Sequence, residues 1–213
     1  MKNENVLIIG SGVLGAYLSE FLLKKKYNIF VTSRKLKKNY LNYRKLNIQK
    51  KINFKKLNIS NKKEIKQILK KINPQYIYYF AGISSITQSF KQPKETMVSN
   101  YIGAKNFLEI IDKENIKTKF FKANSGYIFD SKGKKITYKS KLIKSNSPYT
   151  KSQIKSYKLI NRYRNKKLQC SNLIFFNVES PLRSDGYLIK KICNSIKLIK
   201  KKKLQKKPNW KKL

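Results

Sequence analysis

Histidine is absent from this 213-residue chain, carboxylates number 10 against 51 Lys and Arg, and two Cys and one Trp are present. Without histidine there is no Ser-His-Asp triad, no imidazole base and no His-ligated metal, so no metal site is expected. Cys170 and Cys193 alone cannot complete a four-ligand zinc site or a disulfide framework, which fits a reducing compartment. No apolar run reaches the roughly 18 residues that a bilayer-spanning helix needs. Residues 1–9 lead directly into a strand, with no h-region or cleavage site, so a signal peptide is not expected. These absences point to a cytoplasmic protein. Hydrophobic residues at 40% suffice for a packed core, and the length suits one domain, or one and a small part of another.

A formal charge of +41 ordinarily points to nucleic acid or anionic membrane as partner. Only five of the 51 cations are Arg (Arg34, Arg44, Arg162, Arg164 and Arg183), although Arg is the better bidentate reader of phosphates and base edges. The lysines are spread along the whole chain, and Lys, Asn, Ile and Tyr together make up about half of it. These residues have A/T-rich codons, so the charge reads as base composition, and no nucleic-acid partner is expected. The segment Ser195–Leu213 differs: Ile196, Leu198 and Ile199 form one side of a helix that runs into a Lys cluster and Trp210. A solvated terminus is the first reading of it, with weak contact to anionic lipid as the alternative.

Apolar runs alternate with helical periodicity along the chain. Val6–Ile9 is a buried strand, and Leu14, Leu18, Phe21 and Leu22 follow at helical spacing. Further strands are expected at Asn28–Thr32, weakly within Ile52–Ile59, and at Tyr76–Phe80, Lys119–Ala123 and Leu173–Phe176. Helices are expected at Asn61–Lys71, Met97–Ile111 and Tyr149–Tyr163. Near-continuous apolar strands alternating with helices predict an α/β fold, a Rossmann-like doubly wound parallel sheet covered on both faces.

Between the first strand and its helix stands Gly10-Ser11-Gly12-Val13-Leu14-Gly15. A GxGxxG turn in this place lets pyrophosphate approach the backbone amides at a helix N-terminus. The alternative is a glycine turn without a ligand. The second strand ends in Thr32-Ser33-Arg34-Lys35, with no acid to accept the ribose 2′-OH of NAD. A cationic pair suits the 2′-phosphate of NADP, and the rare Arg34 is its informative member.

Later segments fall into a recognisable order: Ala81-Gly82-Ile83-Ser84-Ser85, then Ser89-Phe90-Lys91-Gln92-Pro93, then NYIGAKNFLEII from Asn100. After these come Ala123-Asn124-Ser125-Gly126-Tyr127, Ser147-Pro148-Tyr149-Thr150-Lys151-Ser152-Gln153 and Phe176-Asn177-Val178-Glu179-Ser180-Pro181-Leu182-Arg183-Ser184. This order resembles the extended short-chain dehydrogenase/reductases, and specifically the GDP-mannose 4,6-dehydratases, from about residue 5 onward. SGYIFDSKGK is also similar to the sugar-nucleotide 4-keto reductases of that superfamily.

The resemblance implies a catalytic set of Ser125, Tyr149 and Gln153. Ser125 would hydrogen-bond the sugar O4, and Tyr149 would take its proton while hydride passes from C4 to NADP. It implies cofactor contacts at Gly10, Gly12, Val13, Leu14, Gly15, Arg34, Asn58, Ala81 and Gly82, with Tyr149 and Gln153 at the nicotinamide end. Substrate contacts would be Ser84, Ser125, Asn177, Glu179 and Arg183, and Asn100 matches a helix Asn near the site. A nucleotide-sugar, GDP-mannose or a relative of it, and a homo-oligomer are the implied partners.

The chain departs from the family at four places. A Lys is expected where Gln153 stands and a Glu where Tyr127 stands, which reads instead as a candidate core aromatic. At 100° per residue Gln153 lies about 40° from Tyr149, whereas Lys151 and Lys155 lie about 200° and 240° round, so neither replaces the missing cation. The glycine turn is one residue shorter than the usual GxxGxxG. The family's substrate-binding part also extends beyond residue 213, so 1–175 is expected to be the NAD(P)-binding domain and 176–213 a truncated remnant of the substrate-binding part with the Lys-rich tail. The alternatives are a 4-keto reductase or epimerase, or a catalytically silent NADP-binding protein or truncated gene product.

Overall fold

A computed structural model describes residues 4–131, 133, 135–137 and 139–200. The expectations for the first residues and for the Lys cluster with Trp210 fall in part outside these. The chain divides into two compact units, the first ending at Phe176 and the second beginning at Asn177.

In the first unit, six parallel strands form one sheet in the order β3-β2-β1-β4-β5-β6. They are β1 (Asn5–Ile9), β2 (Asn28–Ser33), β3 (Asn53–Lys56), β4 (Tyr76–Tyr79), β5 (Lys119–Ser125) and β6 (Cys170–Phe175). β1 pairs with both β2 and β4, so the winding direction reverses between β1 and β4. In open α/β sheets that reversal leaves a crevice beyond the carboxyl ends of the strands.

The crossovers carry α1 (Val13–Lys24), α2 (Leu41–Lys45), α3 (Lys62–Ile72), α4 (Ile86–Lys91), α5 (Pro93–Met97), α6 (Gly103–Lys113) and α7 (Pro148–Asn165). A π-helical turn, Val98–Ile102, joins α5 to α6. The start of α3 is fixed by Asn61, whose side chain accepts from the amides of Lys63 and Glu64 at 3.0 and 3.3 Å. Glu64 accepts in return from Asn61 Nδ2 at 3.0 Å, an arrangement that satisfies amides the helix leaves free. α7 begins at Pro148, and the Ser147 hydroxyl accepts from Thr150 N at 3.4 Å.

The main core lies between the sheet and α3, α6 and α7. Leu7, Ile9, Ile77, Tyr79 and Phe120 meet Ile65, Leu69, Phe107, Ile111 and Ile160 there. α1 corrects one expectation: its sheet-facing side is Gly15, Ala16, Ser19 and Leu22, while Phe21 is 57% exposed. Small residues let α1 lie close on the sheet, and Ser19 keeps its hydroxyl satisfied by donating to Gly15 O at 2.7 Å. β6 starts at Cys170, three residues before the apolar run that signals it. The thiol of Cys170 is buried and free.

The second unit contains α8 (Leu188–Lys200), none of whose residues is buried. Before it, the Arg183 guanidinium stacks 3.5 Å from the Tyr187 ring centroid, and Arg183 Nε lies 3.9 Å from Glu179 Oε2. Among the described residues no helix is long and apolar enough to cross a membrane, and no cluster of His, Cys, Asp or Glu is suited to a metal.

Candidate active site

The three glycines of the first turn do three different things. Gly10 has φ +110°, a left-handed conformation that favours glycine, and a Cβ there would stand 2.9 Å from Ala81 N. At Gly15 a Cβ would stand 2.6 Å from Gly10 O and 2.9 Å from the Tyr43 hydroxyl, so this glycine is needed for helix–turn packing. A Cβ on Gly12 would meet nothing within 4 Å. Gly12 is the N-cap of α1 with no side-chain cap, which leaves the first helix amides facing open space. That combination fits an anion such as pyrophosphate.

Beside this turn a cavity of about 870 Å³ runs along the carboxyl ends of β1 to β4. Of the expected cofactor residues, Gly10, Arg34, Asn58, Ala81 and Gly82 line it, while Gly12, Val13, Leu14 and Gly15 form the turn and the first helical residues beside it. Arg34 leaves the end of β2, and its Nη1 lies 3.2 Å from Glu95 Oε2 of α5. Asn58 is fixed by its amide, which donates to Glu64 Oε2 at 2.9 Å, and its Oδ1 accepts from Ser60 N at 3.0 Å. Gly82 lies so close under Asn100 that a Cβ would collide with Asn100 Oδ1.

The second cluster lies where β5 and the turn after it pack on α7. Ser125 closes β5, is buried, and its hydroxyl accepts from Tyr127 N at 3.2 Å. Tyr149 is the second residue of α7 and is also buried. Its amide donates to Ser89 Oγ at 3.1 Å, and Ser89 in turn donates to Ile86 O at 2.6 Å. One turn further, Gln153 is buried on the same side of α7, with no hydrogen-bond partner for its Oε1. Asn100, in the π-helical turn, donates from Nδ2 to Ile83 O at 3.1 Å and to Ser152 Oγ at 3.0 Å. This ties the β4–α4 loop to α7. Ser84 lies exposed in that same loop.

Tyr127 is 58% exposed and is not a core aromatic. Beside it, a Cβ on Gly126 would stand 2.6 Å from the Phe176 ring. Asn177, Glu179 and Arg183 belong to the second unit, where Glu179 and Arg183 pair with each other.

Three further residues have roles that neither periodicity nor the quoted motifs assign, although Ser89 itself opens the Ser89–Pro93 motif. Ser89 caps Tyr149 across 60 residues of sequence. Glu95 is set against Arg34 across 61 residues. Lys122, on β5, is 2% exposed, with its Nζ donating to Ala123 O and lying 5.5 Å from the Tyr79 ring centroid. Burial pushes this amine down to about 7, and pushes the Tyr79 and Tyr43 phenols upward.

The GDP-mannose 4,6 dehydratase family model matches residues 7–210. A GDP-mannose 4,6 dehydratase of Arabidopsis thaliana is 28% identical over 89% of this chain and 56% of its own length. One from Vibrio cholerae is 26% identical over 90% and 54%. The chain spans about half the length of the curated relatives it matches, from 37% to 58%. Among solved structures, a dTDP-glucose 4,6-dehydratase of Bacillus anthracis in complex with NAD superposes with a TM-score of 0.76 at 22% identity. It covers 91% of this chain and 61% of its own. A UDP-Glc/GlcNAc 4-epimerase of Campylobacter jejuni gives 0.70 at 18% identity, covering 81% and 53%. With the glycine turn, the crevice at the strand reversal and a model match over nearly the whole length, this chain belongs to the GDP-mannose 4,6 dehydratase family.

Proposed function

We propose that this chain is a nucleotide-sugar-modifying, NADP-dependent lyase of the 4,6-dehydratase type, acting on GDP-mannose or a close relative of it. The observation that carries the reading is the open backbone at Gly12, capped by no side chain and set beside a dinucleotide-sized crevice. Arg34, Lys35 and Lys37 line the crevice beyond β2 and favour the 2′-phosphate of NADP over NAD. When bound, the dinucleotide supplies the acceptor for hydride from the sugar C4 and returns it later in the turnover.

The chain's own residues do the rest. The Ser125 hydroxyl donates to the sugar O4 and orients it. Tyr149, held at the start of α7 by the Ser89 cap, takes the O4 proton, so the C4–O4 bond becomes a carbonyl as the C4 hydrogen leaves. Gln153 contributes a hydrogen bond where a cation would lower the Tyr149 pKa, so turnover is slow near neutral pH. Exposed Tyr127 offers no carboxylate to assist loss of water across C5–C6. Ser84, Asn177, Glu179 and Arg183 are the proposed nucleotide-sugar contacts. The same reading makes the protein a cytoplasmic homo-oligomer.

Titration of the purified chain with NADP and NAD, followed by fluorescence or calorimetry, tests the first half; absence of binding by either sinks the reading. Turnover of GDP-mannose by the wild type and by Gln153→Lys with Tyr127→Glu tests the second. A gain supports the dehydratase reading, whereas NADP binding with no gain favours a silent dinucleotide-binding protein.

A further inference from the structure

We propose that Glu95 sets the preference between NADP and NAD from across the crevice, by occupying the guanidinium that would hold the 2′-phosphate. The inference rests on the reading of the crevice as a nicotinamide-dinucleotide site.

The end of β2 carries no acid, and sequence alone therefore assigns it to a 2′-phosphate. The fold brings one there from α5. Arg34 Nη1 and Glu95 Oε2 are 3.2 Å apart, and both residues line the cavity. Glu95 is the sole carboxylate among the described residues that line the cavity, in a chain with 10 acids to 51 cations. The pair does not hold the fold together, because the two side chains are 81% and 59% exposed, and ion pairs so open to water contribute little stability. Glu95 can therefore be altered without unfolding the protein, and its position has a consequence for the ligand.

A 2′-phosphate carries about two negative charges at neutral pH and must approach Arg34 beside the carboxylate. At roughly 6 Å, in solvent-like dielectric and with physiological screening, that repulsion corresponds to about three- to tenfold in Kd. A neutral 2′-OH meets no such repulsion and can donate to the carboxylate. Glu95 thus narrows the gap between the two cofactors that Arg34, Lys35 and Lys37 would otherwise open.

The test is the Kd of NADP and of NAD, and of 2′,5′-ADP against 5′-ADP, for the wild type, Glu95→Gln and Glu95→Asp. Glu95→Gln is expected to tighten NADP and 2′,5′-ADP about three- to tenfold, to leave NAD unchanged or weaker, and to lose part of the gain at high salt. Glu95→Asp should keep the wild-type ratio. An unchanged NADP/NAD ratio in Glu95→Gln, or a shift toward NAD, overturns the proposal while leaving the cofactor reading intact. A wild type that binds neither dinucleotide overturns both. Unchanged melting temperatures in the absence of ligand confirm that the variants are folded.

Discussion

Lys122 offers a sharp physical test because its amine is buried and, among the described residues, has no carboxylate opposite it. On β5 the alternation places Phe120, Lys122 and Asn124 on one face, and all three are buried. The Nζ has a backbone carbonyl and the Tyr79 ring for company, and desolvation lowers its pKa from 10.5 to about 7. The folded-state value lies below the unfolded one, so the folded chain sheds a proton that the unfolded chain retains. Between about pH 7 and 10.5 the unfolded state binds more protons and stability rises with pH. The relief is complete above the unfolded pKa and is lost as pH falls through about 7. Integrated from pH 6 to 9, this amounts to roughly 2–3 kcal/mol, or about 4–10 °C in Tm for a chain of this size. Lys122→Met fills similar volume and removes the titration. Denaturant melts of both proteins at constant ionic strength should find the Met variant more stable at pH 6, with the gap closing by that amount at pH 9. A gap that stays constant across this range refutes the argument, because the difference between the two proteins cancels every other titrating group.

Three further substitutions separate folding from binding and turnover. Gly15→Ala should destabilise the protein by about 1–3 kcal/mol, since its Cβ has nowhere to go between Gly10 O and the Tyr43 hydroxyl. Gly12→Ala should leave the ligand-free melt within about 0.5 kcal/mol but weaken dinucleotide binding tenfold or more; equal effects on both properties would contradict a ligand-facing Gly12. Ser89→Ala leaves the Tyr149 amide unsatisfied, with an expected cost of about 1–2 kcal/mol and a fall in kcat with little change in dinucleotide Kd. A loss confined to stability would mean that the cap does not position Tyr149.

The parallel sheet is legible in the chain because buried parallel strands advertise themselves as apolar runs. Val6–Ile9 and Tyr76–Tyr79 need no context to be recognised. β3 is weakly legible, since Asn53–Lys56 has a single apolar residue and is only partly buried at the sheet edge. The side of α1 that faces the sheet is misread from Phe21, because hydrophobic spacing reports large side chains, and here close packing selects Gly15, Ala16 and Ser19. The early start of β6 is hidden for a related reason. Ser171 and Asn172 are polar, and Asn172 spends its side chain on Asn124, Asn161 and the Tyr157 carbonyl.

The active-site edge divides in the same way. Gly10 and Gly12 leave a local trace as a glycine turn after an apolar strand, whereas Tyr149 and Gln153 are expected from the family resemblance and stand one helical turn apart on α7. Ser89, Glu95 and Lys122 act on partners that are distant in sequence or meet at a strand interior, and no local pattern encodes such a meeting. Lys122 is the instructive case. In a chain this rich in lysine each one reads as solvated surface, yet one of them fills the sheet's interior at 2% exposure, three residues before Ser125. The charge that composition makes uninformative becomes informative once burial singles out a lysine, because a buried amine with no counter-ion must either be neutral for part of the physiological range or cost the fold stability.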